Sequence, residues 1–368
     1  MHWLNPSEID TTVVFLVIGL VYWLVPYVTQ STIKFGVRIP PGRVNDPVLR
    51  RMLKTYHGWV SLATISIFMA FILMPDLYGI FWIGTFSFIV EIVAVYLIYF
   101  VIHRRLKKIK EENGWYQGAR QAAGVLLPIE LQNHRDYVYT VMISFSAVIV
   151  AATVIMGALL YPDLPAILVT HYTQNGIPDS FERKDLIDVF TFPILQLVVT
   201  AILFLVSYAI WKSRQEIEVF RPYTSYLQQL KFKKYYRYVI IAISISLNVS
   251  LMFVAAIRWG LLNSNYGSAL NYFPITAVLL ISTPMIYLGQ QGSRIKTGFP
   301  EQPTGFVNMN DDVLWKGGIF YFNRADHSFL VAKRFGIGWT LNFGNPLTWV
   351  VLWGIVMIPI ISLLVISH

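Results

Sequence analysis

The chain contains no cysteine, which removes disulfides, thiolate nucleophiles, iron–sulfur clusters and Cys-ligated zinc from consideration. It is also poor in charge. Only 13% of its 368 residues are Asp, Glu, Lys or Arg, while 55% are apolar, so a water-soluble protein of this composition would lack the side chains to cover its surface. The common catalytic signatures are missing too: no His-Glu-x-x-His, no Gly-x-Ser-x-Gly and no phosphate-cradling glycine loop. The sequence thus gives no footing for an enzyme. No catalytic residue, cofactor or metal site is expected.

What the chain has instead is long apolar runs. A membrane-spanning helix needs roughly 17–25 mainly apolar residues. Eight such runs lie near 11–29, 58–75, 80–102, 137–160, 188–211, 238–262, 269–289 and 346–366. The fold class expected is an all-α polytopic membrane bundle of about eight transmembrane helices. The second and third are joined by a tight turn at 74–79, and Pro274, Pro284 and Pro359 are expected to kink the last two. The first run begins with Glu8 and Asp10, without Lys or Arg, and no small-residue cleavage site follows, so it is read as a helix rather than a secretory leader.

Charge then sorts the connections. All but three of the 29 Lys and Arg residues fall in loops 30–57, 103–136, 212–237 and 290–345. The exceptions are Arg183, Lys184 and Arg258. The first two share loop 161–187 with Asp163, Asp179, Glu182 and Asp185. The positive-inside bias puts the four basic loops in the cytoplasm and both termini outside a cell membrane. The net charge of +9 is then explained by cations beside anionic lipid headgroups rather than by nucleic acid. In 231–237, Lys and Arg interleave with Phe and Tyr, the composition of a headgroup-level anchor. Loop 290–345 holds three strand-like runs, 318–323, 328–334 and 339–343, separated by turn residues, so a small three-stranded β element is expected there. The organisation expected is a three-span region over 1–136, a four-span region over 137–290, a small cytoplasmic β-containing domain over 291–345, and a last span over 346–368.

The outer loop is the most pointed segment. It contains Thr170-His171-Tyr172 and the turn formers Asn175, Gly176, Pro178 and Asp179. A turn there would fold His171 toward Asp179, as a proton switch, a metal half-site or a ligand clamp. The plainer alternative is that both satisfy turn backbone. Glu91 is the only carboxylate deep in a span, where a charge costs roughly 2.5–3.5 kcal/mol on insertion scales and faces the bundle interior. Asn248 lies at similar depth in its span and Gln196 about a third of the way into the fifth, so the three are expected to form a polar seam, either a proton or substrate path or a packing clamp. Arg258 is expected to pair with an outer carboxylate. His57, His103 and His134 share a boundary depth but no helix face, which argues against a metal site.

The order Leu164-Pro165, Thr170-His171-Tyr172, Asn175-Gly176-Ile177-Pro178-Asp179, Lys184 and Phe192-Pro193 resembles a short membrane domain of unknown function. That domain occurs in Sdp-type toxin-immunity and signal-transduction proteins of Gram-positive bacteria. Phe35-Gly-Val-Arg38-Ile-Pro40 with Tyr56-His57-Gly58 is similar to a Gly-x-Arg-x-Pro signature elsewhere in that family. Trp315, Tyr321, Asn323, Asp326, Lys333, Arg334, Trp339 and Asn342 lie in a segment resembling a second small domain of unknown function that often accompanies the first. The chain is longer than the immunity proteins, with extra spans. The resemblance implies resistance to, or sensing of, a membrane-active peptide or amphiphile outside the cell. The ligand-binding candidates are His171, Asn175, Gly176, Asp179, Arg38, Glu91 and Asn248. The candidates for docking a cytoplasmic or membrane-complex partner are Trp315, Tyr321, Asn323, Asp326, Lys333, Arg334 and Trp339. Two rival expectations are a proton-coupled transporter or lipid flippase using Glu91, and an accessory subunit of a larger membrane complex.

Overall fold

A computed structural model of the chain describes residues 6–72, 81–126, 136–172, 177–264, 267–298 and 300–366. Eight α-helices lie among the described residues: α1 Pro6–Val28, α2 Pro47–Ile72, α3 Phe81–Glu112, α4 Tyr137–Leu160, α5 Leu186–Lys212, α6 Pro222–Arg258, α7 Gly267–Leu288 and α8 Pro346–Ile366. Helices α4 and α8 coincide with the apolar runs at both ends. Asp136 caps α4 by accepting from Tyr139 N at 3.3 Å, and Asp185 caps α5 by accepting from Asp188 N at 2.7 Å.

Three helices run well past their apolar runs. α2 begins at Pro47, α3 continues to Glu112 and α6 begins at Pro222. The extensions are rich in Arg, Lys, Glu, Gln and Leu, all strong helix formers, so charge ends the apolar run without ending the helix. Among the described residues, four helices are long and apolar enough to cross a membrane, over Tyr137–Asp163, Leu186–Lys212, Pro222–Arg258 and Phe273–Gly292. Shorter apolar stretches occupy Phe15–Val28 and Pro346–Met357. α7 is continuous through Pro274 and Pro284. The expected turn at 74–79 lies outside the described residues.

Among the described residues, twelve short strands form six two-stranded sheets. β1 (Ile33–Lys34) pairs with β2 (Val37–Arg38), β3 (Gln121–Ala122) with β8 (Val307–Asn308), and β4 (Val125–Leu126) with β7 (Gln215–Glu216). β5 (Ile167–Tyr172) pairs with β6 (Pro178–Arg183), β9 (Trp315–Lys316) with β10 (Phe320–Tyr321), and β11 (Leu330–Ala332) with β12 (Trp339–Leu341). The expected three strands of 290–345 are therefore two small hairpins, linked by a parallel bridge between Tyr321 and Asn342. Glycines at positive φ, Gly317, Gly318, Gly336 and Gly338, cut the runs shorter than their composition implies.

The chain divides into two compact units, each assembled from separated segments. The first comprises 1–127, 214–229 and 288–368; the second comprises 128–213 and 230–287. Val37, Tyr56, Val95, Tyr99 and Leu106 are among the most deeply buried side chains of the first core, from β2, α2 and α3. In the second unit Leu164, Leu168, Val189, Ala255 and Trp259 form the core. Gly157 of α4 is required there: an added Cβ would lie 2.9 Å from the Trp259 ring.

Candidate functional site

Loop 161–187 forms a β-hairpin of the second unit. Leu164 and Leu168 are buried and root it. Lys184 Nζ donates to the carbonyls of Tyr161 at 3.1 Å and Leu164 at 2.8 Å. Arg258 lies 3.8 Å from Glu182 and 3.6 Å from Asp188, the outer pairing expected of it. His171 pairs with Ser180 and Tyr172 with Pro178, so Asp179 falls between the two rungs, with irregular pairing on either side of His171. The fold thus brings His171 and Asp179 to adjacent positions of one hairpin. Asn175 and Gly176 lie outside the described residues, as does the side chain of His171.

Every residue of β6 is exposed. Ile167, Ile177 and Phe181 are 60%, 60% and 58% exposed, which is unusual for large apolar groups on a polar turn segment. β5 is the only described strand that pairs with β6, so no second described strand borders its other edge.

The first unit contains a buried ion network, built on a tight turn. Lys34 pairs with Val37, leaving a two-residue turn in which Phe35 and Gly36 both have positive φ, 48° and 74°. Such turns match the twist of a hairpin, but only glycine enters them without steric cost. His103 Nδ1 donates to the Phe35 carbonyl at 2.7 Å, and Arg334 Nη1 donates to the Gly36 carbonyl at 3.2 Å. Arg38, one residue past Val37, donates through Nε to Asp311 at 2.7 Å and through Nη2 to Glu216. Its backbone N–H donates to Asp312 Oδ1 at 3.0 Å. Arg334 reaches Asp312 through Nη1 at 2.6 Å and Asp311 through Nη2. Lys110 Nζ donates to Asp312 Oδ2 at 2.5 Å and Asn310 Oδ1 at 2.7 Å. The Trp315 ring faces the Arg334 guanidinium at 4.9 Å.

Three cations therefore meet three carboxylates and their formal charges cancel. Burial by itself pushes the carboxyls of Asp311 and Asp312 up. The surrounding cations outweigh it: Arg334 and Arg38 hold Asp311 well below the usual carboxylate range, and Arg334 and Lys110 hold Asp312 below it. Arg38 is held above its ordinary value, burial opposing and Glu216 and Asp311 favouring the charged form. The structure places Arg38, a ligand-binding candidate from sequence, inside this network at 3% exposure.

The docking candidates are held in the same unit. Tyr321 donates to Asp326 at 3.0 Å, Arg214 lies 2.8 Å from Asp326, and Asn323 donates to the Tyr321 hydroxyl at 3.2 Å. Asn342 is fully buried. It donates to the carbonyls of Asn323 at 2.9 Å and Asp326 at 2.8 Å and accepts from the N–H groups of Asn323 at 3.1 Å and Gly344 at 2.9 Å. Trp315, Tyr321 and Arg334 are buried, Asn323, Asp326 and Trp339 are half-buried, and Lys333 is exposed. Sequence reasoning missed Lys110, Glu216, Asp311 and Asp312. The adjacent acidic pair in an otherwise basic loop was the available signal.

The three polar groups of the expected seam fall in different units. In the second unit Gln196 Nε2 donates to Thr153 Oγ1 at 3.2 Å and to the Asn248 carbonyl at 2.7 Å. Asn248 Nδ2 donates to Ser146 Oγ at 2.8 Å and Thr200 Oγ1 at 2.7 Å. The seam of Gln196 and Asn248 is thus assembled with hydroxyls of α4 and α5. Glu91 belongs to the first unit. It is fully buried, and although Thr64 is the polar group beside it, neither carboxyl oxygen makes a hydrogen bond among the described residues.

The anchor expected at 231–237 is corrected in part. This stretch makes about two turns of α6, so period 3.6 splits it. Lys231, Lys234 and Tyr235 are exposed, while Phe232, Lys233 and Arg237 are buried. Lys233 donates to the Ser213 carbonyl, and Arg237 lies over the rings of Tyr139 at 3.7 Å and Trp211 at 4.5 Å. Two of the three boundary histidines also serve the fold: His57 Nε2 donates to the Trp23 carbonyl at 3.1 Å, and His103 holds the Phe35 turn. His134 lies outside the described residues.

No curated protein and no solved structure matches this chain. Two segments match family profiles, each well short of half the chain. Residues 324–349, spanning β11, β12 and the start of α8, match a family of unknown function, DUF5808. Residues 148–197, which carry the β5–β6 hairpin between α4 and α5, match a domain of unknown function, DUF1648.

Proposed function

We propose that the chain is a non-enzymatic multi-pass protein of the cell membrane, of the Sdp-like immunity or signalling type. In this reading it crosses eight times with both termini outside. The β5–β6 hairpin receives an external peptide or amphiphile, and the body built from the basic connections docks a cytoplasmic or membrane-complex partner. The topology draws support from the first unit. Parts of all four basic connections share ion pairs or strand pairs there, and segments that touch one another occupy one side of a bilayer.

The observation that carries the binding role is the hairpin's exposed apolar surface beside the second edge of β6. A strand edge that no second described strand borders can take an extended chain as a further strand, and neighbouring apolar side chains then give it grip. The loop's excess of acidic over basic residues favours a cationic peptide. The test is binding of a cationic amphipathic peptide to the full chain in nanodiscs. The combined change His171→Ala, Asp179→Asn and Phe181→Ser is expected to weaken binding at least tenfold, about 1.4 kcal/mol. Equal affinity would remove the hairpin from the mechanism.

Glu91 supports a second reading, a proton-coupled transporter or flippase. A buried carboxyl without a hydrogen-bond partner is a costly feature for packing alone. Glu91→Gln is then expected to abolish proton-driven flux in liposomes while the protein stays folded. Undiminished flux in that variant ends this reading.

A further inference from the structure

We propose that the first two turns of α2 hold the headgroup of an anionic phospholipid, whose acyl chains lie along the exposed apolar face of the same helix. This rests on the membrane placement above, but not on the role given to the hairpin.

The headgroup end is a cleft of about 360 Å³ lined by Pro47, Arg50, Arg51 and Lys54. Its three cations are exposed, and none pairs with a carboxylate among the described residues. In this they differ from Arg38, Lys110 and Arg334 of the same unit, which are buried and neutralised. The α2 cations also stand at the wrong end of a helix. Cations are disfavoured near the N-terminus, where the peptide dipoles already concentrate positive charge. The first turn of α2 contains no acidic residue. Asp46, just before it, accepts from Val48 N at 3.0 Å and faces Arg43 at 3.7 Å. A bound anion would relieve that arrangement, and a phosphate diester offers the oxygens that two guanidinium groups and an ammonium recognise.

The continuation of the helix selects a lipid over a free anion. Arg51, Lys54, Gly58, Leu62, Ile65 and Met69 recur at spacings of three and four, so they form one stripe, and all six are exposed. The stripe changes from cationic to apolar at Gly58, where a Cβ would meet nothing within 4 Å. Leu62, Ile65 and Met69 are 55%, 59% and 45% exposed, with Trp59 beside them at 55%. A charged foot followed by an unpartnered apolar face has the polarity of a phospholipid laid along the helix.

The test uses the full chain in mixed micelles, with native mass spectrometry counting retained phosphatidylglycerol against phosphatidylcholine. The variant Arg50→Gln/Arg51→Gln/Lys54→Gln removes the foot. Arg104→Gln/Arg105→Gln/Lys108→Gln removes as much charge from the end of α3. Wild type is expected to retain phosphatidylglycerol preferentially. The α2 variant should lose at least tenfold of that preference and the α3 variant should keep it. Leu62→Asn/Ile65→Asn should also weaken retention, with the cations intact. Equal loss in the α2 and α3 variants, or none in either, overturns the proposal. So does competition by inorganic phosphate or glycerophosphoglycerol as effective as that by the diacyl lipid, because the apolar stripe would then contribute nothing. A negative peptide-binding result at the hairpin leaves this prediction standing.

Discussion

Arg334→Leu is expected to destabilise the first unit by about 3–5 kcal/mol, the usual effect of removing one partner from a buried ion pair. The change strips Asp311 and Asp312 of their shared cation and leaves the Gly36 carbonyl without its donor. The loss comes mainly from carboxylates left buried with too little positive charge, since Arg38 and Lys110 each remain bound to only one of them through the side chain. Arg334→Lys should rescue only part of it. A single ammonium cannot span two carboxylates and a carbonyl as the guanidinium fork does. The measurement is thermal unfolding of the full chain in detergent, followed by limited proteolysis within 300–345. A melting temperature equal to that of wild type would show the network to be dispensable.

The same network predicts acid lability with a definite sign. Asp311 and Asp312 titrate lower in the folded chain than in the unfolded one. Their contribution is therefore complete above the ordinary carboxylate value of about 3.9 and disappears as pH falls below it toward the folded value. Wild type should lose stability in that window. Arg334→Leu should show a shallower slope there, because less of the pairing is left to lose.

How much of this was legible in the sequence depends on the length scale of each signal. Helix centres follow from hydropathy, so α4 and α8 could be placed to the residue. The starts of α2 and α6 could not, because a charged amphipathic extension reads as loop to a hydropathy argument while its side chains still favour helix. The polar seam was legible for a simple reason: Gln196 and Asn248 interrupt apolar runs, and the only comfortable orientation for them is inward. Glu91 shares the depth of Asn248 in the sequence, but depth along a helix does not say to which unit that helix belongs. The ion network is the clearest failure of this kind. It joins positions 38, 110, 216, 311, 312 and 334, and charge sorting could assign those loops to one side without pairing a single residue. Arg38 and Arg334 were singled out as surface recognition groups, whereas the structure encloses both. An arginine in a motif marks a need for a planar, always-charged donor, and a folded body has that need as often as a ligand site does.

The turn that delivers Arg38 to the network yields the second large effect. Gly36→Ala is expected to cost about 1–2 kcal/mol for placing a side chain at a φ of 74°. A further 1–3 kcal/mol should follow from overpacking. The new Cβ would lie 2.5 Å from the Gly318 carbonyl oxygen and 2.7 Å from its Cα, and would also meet the Tyr99 hydroxyl. Gly318 cannot easily retreat, since its own space is bounded by His103 Nδ1 at 2.6 Å and the Tyr99 hydroxyl at 2.8 Å from where a Cβ would stand. Two backbones approach closely here, so the obstacle is main chain as well as the buried Tyr99 hydroxyl. Gly58→Ala provides the contrast: it lies inside α2 with open space around it, and is expected to stabilise by about 0.5–1 kcal/mol. Both are read as shifts in melting temperature of the full chain. A Gly36→Ala protein that melts with wild type would mean the turn is not docked as described. Gly36→Ala combined with Arg334→Leu should cost less than the sum of the two, because the Gly36 carbonyl is itself an Arg334 acceptor. That shortfall would measure how far the Gly-x-Arg spacing works as one unit: a glycine that lets the turn pass under Gly318, and an arginine two residues on that fastens it to the acidic pair.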